Sequence, residues 1–226
     1  MQVRRPVLAS LTALLLAVGA AQGPDRPAGS SAEDKPFAAL VIVSHGRQTI
    51  DIVTGLTTLP DGGTLRDAHT GVEVRAAVIK YVDGEYIEAS GVTASGDFGD
   101  LVAEKLHIDV EGSVLTASGE LRLSRDGLVV TAGSLRYHAL EQVIVFDGGV
   151  TGTEPRFSAD RVLLDTLNGD VLLDGRYEFA GALFTMRSPA AGGLLQLSLE
   201  QRGDEVVYSA ATEVSPALLE RFRAYL

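Results

Sequence analysis

The chain has 226 residues, of which 46% are hydrophobic, and it contains no cysteine. This length and composition allow one large or two small domains with a continuous core, and they exclude a disordered main body and a fold stapled by disulfides. The formal net charge of −11 disfavours nucleic acids and anionic surfaces as partners, because bulk charge would repel them. Because the chain has no cysteine, its stability must come from packing and backbone hydrogen bonds.

The first 23 residues have the order of a secretory signal. Arg4 and Arg5 precede an uncharged run from Val7 to Ala21, which ends in small residues. At 15 residues the run is shorter than the roughly 20 that a membrane-spanning helix needs, which favours removal of the leader. Residues 24–36 are rich in Pro, Gly and Ser and predict a flexible linker. The pattern predicts an exported, periplasmic protein, soluble if the leader is cleaved and anchored in the inner membrane if it is retained.

Residues 74–179 contain an internal repeat. Gly91, Gly119, Gly148 and Gly175 are spaced 28, 29 and 27 residues apart. Apolar residues precede each glycine by two and four positions: Ile87 and Ala89, Leu115 and Ala117, Ile144 and Phe146, Val171 and Leu173. Fixed self-similarity of this kind predicts stacked supersecondary units rather than one irregular globule.

Short apolar runs with a period of two predict an all-β fold. In the strand predicted at Val114–Ser124, apolar residues or glycine alternate with polar ones, and the segment Val171–Phe179 follows the same rule with Leu172 as an exception on the polar face. Asp-Gly and Asn-Gly pairs at 61–62, 83–84, 126–127 and 168–169 predict tight turns. The acidic residues near strand edges and turns predict a solvated face; they are Asp83, Glu88, Asp97, Asp109, Glu120, Asp126, Asp165 and Asp174.

The alternation shifts by one residue at the same place in three units. The shifts lie between Ala103 and Leu106, between Ala132 and Leu135, and between Ala159 and Val162. Because side chains alternate faces with a period of two, each strand must bulge or bend there. Bends at one level of a stack would curl the sheet into a V-shaped or flattened-barrel cross-section with a lengthwise apolar interior.

The phrase FSADRVLLD at Phe157–Asp165, followed by DVLLDG at Asp170–Gly175, resembles the repeat of the OstA-like proteins, the family of the periplasmic lipopolysaccharide-transport proteins A and C. Looser copies cover residues 125–148 and 101–119, so the resemblance extends over about half of the chain. It implies an all-β OstA-like β-jellyroll at residues 37–214, built from stacked antiparallel bent strands around an open apolar interior.

The resemblance also implies a function without a catalytic group or cofactor: shielding the acyl chains of lipopolysaccharide or another envelope lipid or glycolipid. Apolar burial contributes about 25 cal/mol per Å² and needs no directional contact. The expected groove residues are Leu106, Ile108, Leu115, Leu121, Leu135, Tyr137, Ile144, Phe146, Val162, Leu164, Val171 and Leu173. Each of them can equally be an ordinary core residue of a closed sandwich.

The ends of such a stack leave strand edges free to add a strand from another protein. Members of the family bridge head to tail in this way, so the expected partners are other envelope transport proteins or further copies of the chain. Leu40–Thr54 is the expected N-terminal edge, and residues 194–199 and 206–212 are the expected terminal strands. Residues 215–226 predict an amphipathic helix with Ser215 as N-cap and Pro216 first, capping the open end.

Other chemistries have little support. The four histidines, His45, His69, His107 and His138, lack the short spacing of a metal site, and no hydrolase or phosphate-loop motif occurs. The main alternative is a structural envelope scaffold with a sealed core that assembles by strand addition. A third hypothesis is a carbohydrate-binding or hydrolytic β-solenoid. Residues 49–77 do not fit the repeat and predict either a long loop or an irregular first unit.

Overall fold

A computed structural model describes residues 35–67, 70–181, 184–188, 192–202 and 205–226. The predicted leader, the predicted linker up to residue 34, and His69 lie outside the described residues. The described chain is almost entirely β, with 65% strand and 4% helix, which confirms the all-β prediction.

Fifteen strands and one helix follow one another in the described chain. They are β1 (Leu40–Ser44), β2 (Thr49–Ile50), β3 (Thr57–Leu59), β4 (Gly63–Asp67), β5 (Glu73–Val82), β6 (Tyr86–Gly96), β7 (Gly99–Asp109), β8 (Val114–Arg125), β9 (Leu128–His138), β10 (Val143–Glu154), β11 (Arg156–Asp165), β12 (Val171–Ala180), β13 (Thr185–Arg187), β14 (Gly193–Arg202), β15 (Glu205–Ala211) and α1 (Pro216–Phe222).

All fifteen strands belong to one antiparallel sheet. Its order is β1-β4-β5-β6-β7-β8-β9-β10-β11-β12-β14-β15, with β2, β3 and β13 paired beside this path. From β5 to β12 every strand pairs with the next one along the chain, as expected for strands joined by tight turns. Strand β1 lies at one end of the order and β15 at the other, which confirms the predicted terminal strand at 206–212 and the Leu40–Ser44 part of the predicted N-terminal edge. Residues 49–77 form an irregular first unit of short strands and not a long loop.

The predicted bends are present. Gly91, Gly119, Gly148 and Gly175 all have positive φ, between 62° and 89°, a conformation that glycine adopts without steric cost. The pairing register shifts at the same level of the sheet. The shifts lie between Ser118 and Leu121 in β8, between Asp147 and Val150 in β10, and between Ala159 and Arg161 in β11. In β7 the exposed pair Glu104 and Lys105 separates buried Ala103 from buried Leu106. Each long strand therefore changes direction midway while its apolar side chains stay on one face.

The bends bring both halves of the strands around a common core. Buried residues before and after the bend, such as Leu101 and Ile108 of β7 or Leu123 and Leu115 of β8, belong to the same hydrophobic cluster. This cluster extends from Phe37 to Leu197 and includes residues of nearly every long strand. The fold is consistent with a β-jellyroll.

Helix α1 begins where the sequence predicted. Ser215 Oγ accepts a hydrogen bond from the backbone N–H of Leu218 at 3.3 Å, and Pro216 occupies the first turn. Its buried residues Leu218 and Phe222 pack against the outer face of β10, β11 and β12, in a second cluster completed by Val143, Val145, Leu163 and Leu172. The helix thus covers the outside of three strands and not the open end of the stack. This contact explains why Leu172 is apolar on an otherwise polar face.

One predicted solvated acid, Asp165, is buried. Arg221 of α1 lies 3.2 Å from its carboxylate, which also accepts hydrogen bonds from Leu167 N at 2.9 Å and Asn168 Nδ2 at 3.0 Å. Burial alone would raise the pKa of the Asp165 carboxyl, but these three donors, led by Arg221, lower it below its ordinary value. The ion pair fixes α1 to the turn after β11. The prediction of a solvated acid was wrong here because Arg221 is distant in sequence.

Replacing a bend glycine should destabilise the fold in proportion to local crowding. Gly149 and Gly175 both have positive φ, so Ala at either position costs about 1–2 kcal/mol of strain. A Cβ at 149 meets no atom within 4 Å, whereas one at 175 would stand 2.8 Å from Asp160 Cβ. We expect Gly175→Ala to lower the free energy of unfolding in urea by at least about 1 kcal/mol more than Gly149→Ala. Equal losses would contradict this account of the bend.

The Asp165–Arg221 pair should make stability depend on pH. A lowered folded-state pKa adds stability above the unfolded pKa of about 3.9, and that stability is lost as the pH falls through the folded value. We expect Arg221→Gln to cost about 2 kcal/mol at pH 7 and progressively less below about pH 4, in urea titrations followed by circular dichroism. Arg223→Gln is the control, because Arg223 is 78% exposed in its pair with Glu220. A pH-independent loss would contradict the assignment.

Candidate ligand-binding interior

The twelve expected groove residues all lie in the main core, and each is at most 4% exposed. Eleven of them lie on one half of the strands β7–β12, the half next to the turns at 110–113, 139–142 and 166–170. There they form two rows across the sheet. The first row passes through Ile108, Leu115, Tyr137, Ile144, Leu164 and Val171, each paired with the next. The second passes through Leu106, Ala117, Leu135, Phe146, Val162 and Leu173.

These rows make one continuous apolar wall. The first continues to Ile87 of β6 and Leu197 of β14, and so crosses eight strands. At about 4.8 Å between strands, its length is on the order of 30 Å, close to the thickness of the hydrocarbon core of a bilayer. Burial in both rows is continuous, so the wall presents only carbon apart from the Tyr137 hydroxyl.

The opposite wall was largely missed by sequence reasoning. Leu121 is the one expected groove residue that lies there, beyond the bend of β8. The wall also contains Ala94, Leu101, Leu123, Val130, Val150, Phe157 and Phe179, all buried. The signal for them was the same two-residue alternation on the other side of each bend. The repeat directed attention to the apolar pairs that precede each glycine and to those that follow Ala103, Ala132 and Ala159.

The two walls meet along a seam between two rims of turns. We define the first rim as Asp67 and the turns at 97–98, 126–127 and 155, and the second rim as the turns at 83–85, 110–113, 139–142 and 166–170. Phe98 of the first rim packs on Tyr137, at the end of β9 beside the second rim, with ring centroids 5.4 Å apart. Nearby, Arg125 Nη2 donates to the carbonyl oxygen of Thr166 at 2.6 Å. Side chains therefore close the seam.

The second rim is also joined along its length by backbone hydrogen bonds. Val110 N donates to Glu85 O at 3.0 Å, Ala139 N to Ser113 O at 3.1 Å, and Thr166 N to Gln142 O at 3.0 Å. Each bond links one turn to the next. Among the described residues, the backbone–backbone hydrogen bonds outside the strands do not cross the seam.

Polar groups at the seam are strongly desolvated. Burial, followed by the nearby Asp126 carboxylate, raises the pKa of Tyr208 on β15 to about 12, although Arg125 opposes the shift. Burial also raises the pKa of Tyr137. Nη1 of Arg125 is a buried nitrogen with no hydrogen-bond partner among the described residues.

Glu73 is a carboxylate of the outer face whose environment differs from that of a glycosidase acid. Glu73 lines an open depression of about 340 Å³ that also includes Asp100. Hydrogen bonds from Arg75 and Arg66 lower the pKa of Glu73. A glycosidase acid needs a carboxyl with a raised pKa, which Glu73 does not provide.

The described residues contain neither a group of three or more His, Asp or Glu side chains suited to a metal ion nor a helix long and apolar enough to cross a membrane. His107 lies on β7 and His138 on β9. His45 follows β1, and its Nε2 is hydrogen-bonded to Thr64 Oγ1 at 2.9 Å. The interior between the two walls is lined by apolar side chains.

No protein-family model matches the chain, and no curated protein matches it.

The half-buried phenol of Tyr208 should make the fold sensitive to alkali. A raised folded-state pKa adds stability below the unfolded value of about 10, and this stability is lost as the pH rises toward about 12. We expect the free energy of unfolding of wild type to fall by about 1 kcal/mol between these limits through this group, because Tyr208 is only half-buried and solvent screens part of the shift. In Tyr208→Phe that part of the slope should disappear in urea unfolding at pH 9–11. An unchanged slope would show that Tyr208 ionises freely in the folded protein.

Proposed function

We propose that this chain is a non-enzymatic periplasmic carrier or bridge for lipopolysaccharide or another envelope amphiphile, as in the OstA-like proteins. The observation that carries the proposal is the pair of apolar rows across β7–β12, enclosed by a sheet whose order does not close on itself. An acyl chain gains about 0.8 kcal/mol for each buried methylene, so a wall of this length can hold one without directional contacts.

The interior is packed by its own side chains, and the seam is the route by which it would open. Arg125–Thr166 and Phe98–Tyr137 join the rims by side chains, whereas the walls are held by strand pairing. Separation of the rims therefore breaks few hydrogen bonds and leaves both walls intact. Cargo would replace the contacts between the walls with its own apolar surface.

The two ends of the sheet support the bridging part of the proposal. Strand β1 pairs only with β4 along the main order, and its outward side chains Val41 and Val43 are 59% and 50% exposed. Strand β15 pairs only with β14. Unpaired edges of this kind accept a further strand, from another envelope protein or from a second copy. Such pairing would join two apolar interiors end to end.

The cargo can be identified by photo-crosslinking in the exported protein. A photoreactive amino acid replaces Leu135 or Tyr137, which face the interior, and in the control it replaces exposed Arg136 between them. We expect lipid or glycolipid adducts, detected by mass spectrometry, at the two inward positions and not at 136. Adducts only to the protein's own side chains at 135 and 137 would show a sealed core and overturn the carrier.

The packed interior favours a second candidate, a structural scaffold that assembles by strand addition. All twelve expected groove residues are at most 4% exposed, as in a filled core. In this case the edge alone would carry the function.

The edge can be tested by sedimentation of the purified chain. The double variant Val41→Lys with Val43→Lys should reduce self-association, because lysine on an edge strand opposes pairing with another edge. Val102→Lys is the control, because Val102 is 51% exposed on β7, a strand paired on both sides. Equal assembly in all three proteins would exclude β1 as the joining edge, under either candidate function.

A further inference from the structure

The segment just before β1 closes the N-terminal end of the interior. We call residues 35–38 the strap. Its central residue, Phe37, is 1% exposed and belongs to the main hydrophobic core. The φ of Phe37 is 65°, in the left-handed region that a bulky side chain rarely adopts. A conformation of this kind persists only where surrounding contacts hold it.

Those contacts tie the strap to both rims. The backbone N–H of Phe37 donates to Asp67 Oδ2 at 3.1 Å, and Asp67 belongs to the first rim. Ser113 of the second rim donates through Oγ to the carbonyl oxygen of Pro36 at 3.3 Å. The strap therefore spans the seam at its N-terminal end. Both bonds use a side chain of the rim, so the strap can leave without disturbing the pairing of β4 or β7.

The ring of Phe37 stands where an apolar chain would enter. Phe37 lines a recess of about 180 Å³ together with Leu40, Ile42, Tyr81, Ile87 and Val110, and the turn at Asp83 and Gly84 forms its polar side. Ile87 is also the first residue of the longer apolar row, because it pairs with Ile108. Ile87 thus belongs both to the recess and to the wall that the proposed cargo would occupy. An alkyl chain that enters from this end must displace the ring.

We propose that the recess is the entry site for one alkyl chain of the amphiphile and that Phe37 is an internal plug which the chain displaces. This inference rests on the proposed carrier function. The plug supplies an apolar occupant for the mouth while no cargo is bound. Its left-handed φ makes the closed strap a strained state, so release of the strap relieves strain at the moment when the alkyl chain takes its place.

The test measures binding of a dansyl-labelled long-chain fatty acid, whose emission rises when it leaves water. The full chain is compared with Phe37→Ala and with a double variant, Pro36→Cys with Ser113→Cys, in which a disulfide locks the strap. The chain has no cysteine of its own, so reduction of this variant gives a matched control. Phe222→Ala is a second control, because it removes a buried ring from the helix cluster outside the interior.

We expect Phe37→Ala to bind the probe about tenfold more tightly than wild type, since the fraction of molecules with an open mouth rises. The oxidised double variant should lose binding and regain it on reduction, and Phe222→Ala should bind as wild type does. Equal binding by the oxidised and reduced forms, or equal gains in Phe37→Ala and Phe222→Ala, would overturn the plug while leaving the carrier in place. Absence of binding in every form would remove the carrier function and the plug together.

Discussion

The mid-strand bend is the constraint on which the rest of the structure depends. A straight strand points alternate side chains to opposite faces of the sheet. A flat sheet with one apolar face therefore cannot enclose an interior. A bend with an added residue keeps the apolar face inward while the strand turns back toward itself. The positive φ of Gly91, Gly119, Gly148 and Gly175 makes that turn possible at one level in successive strands. The interior, the rims and the seam all follow from it.

The elements that the sequence predicted well are those set by short-range pattern. The strands, the turns at Asp126-Gly127 and similar pairs, and the bend in β7 between Ala103 and Leu106 depend on residues a few positions apart. The strand through Gly119 was predicted to alternate without interruption, but its glycine and Glu120 both take positive φ. Parity counting cannot detect a bend that inserts two residues, because the alternation resumes in phase.

The features that sequence reasoning missed depend on distant partners. The burial of Asp165 requires Arg221, 56 residues away, and the apolar Leu172 requires α1. No local pattern announces either contact, since both are decided by where the helix packs. The groove residues illustrate a related limit: alternation identifies Leu135 and Phe146 as inward-facing, but an inward side chain has the same periodicity whether it meets a ligand or the opposite wall.

The unequal bonding of the two rims has a mechanical consequence. The backbone bonds Glu85–Val110, Ser113–Ala139 and Gln142–Thr166 make the second rim a continuous brace running across the strands, perpendicular to their own direction. Turns joined in this way move together. Among the described residues, no backbone hydrogen bond outside the strands joins the turns of the first rim to one another, and the hydrogen bonds across the seam come from individual side chains. The enclosure is therefore stiff along one edge and divisible along the other, so that any widening would displace the first rim, strand by strand, away from a fixed second rim.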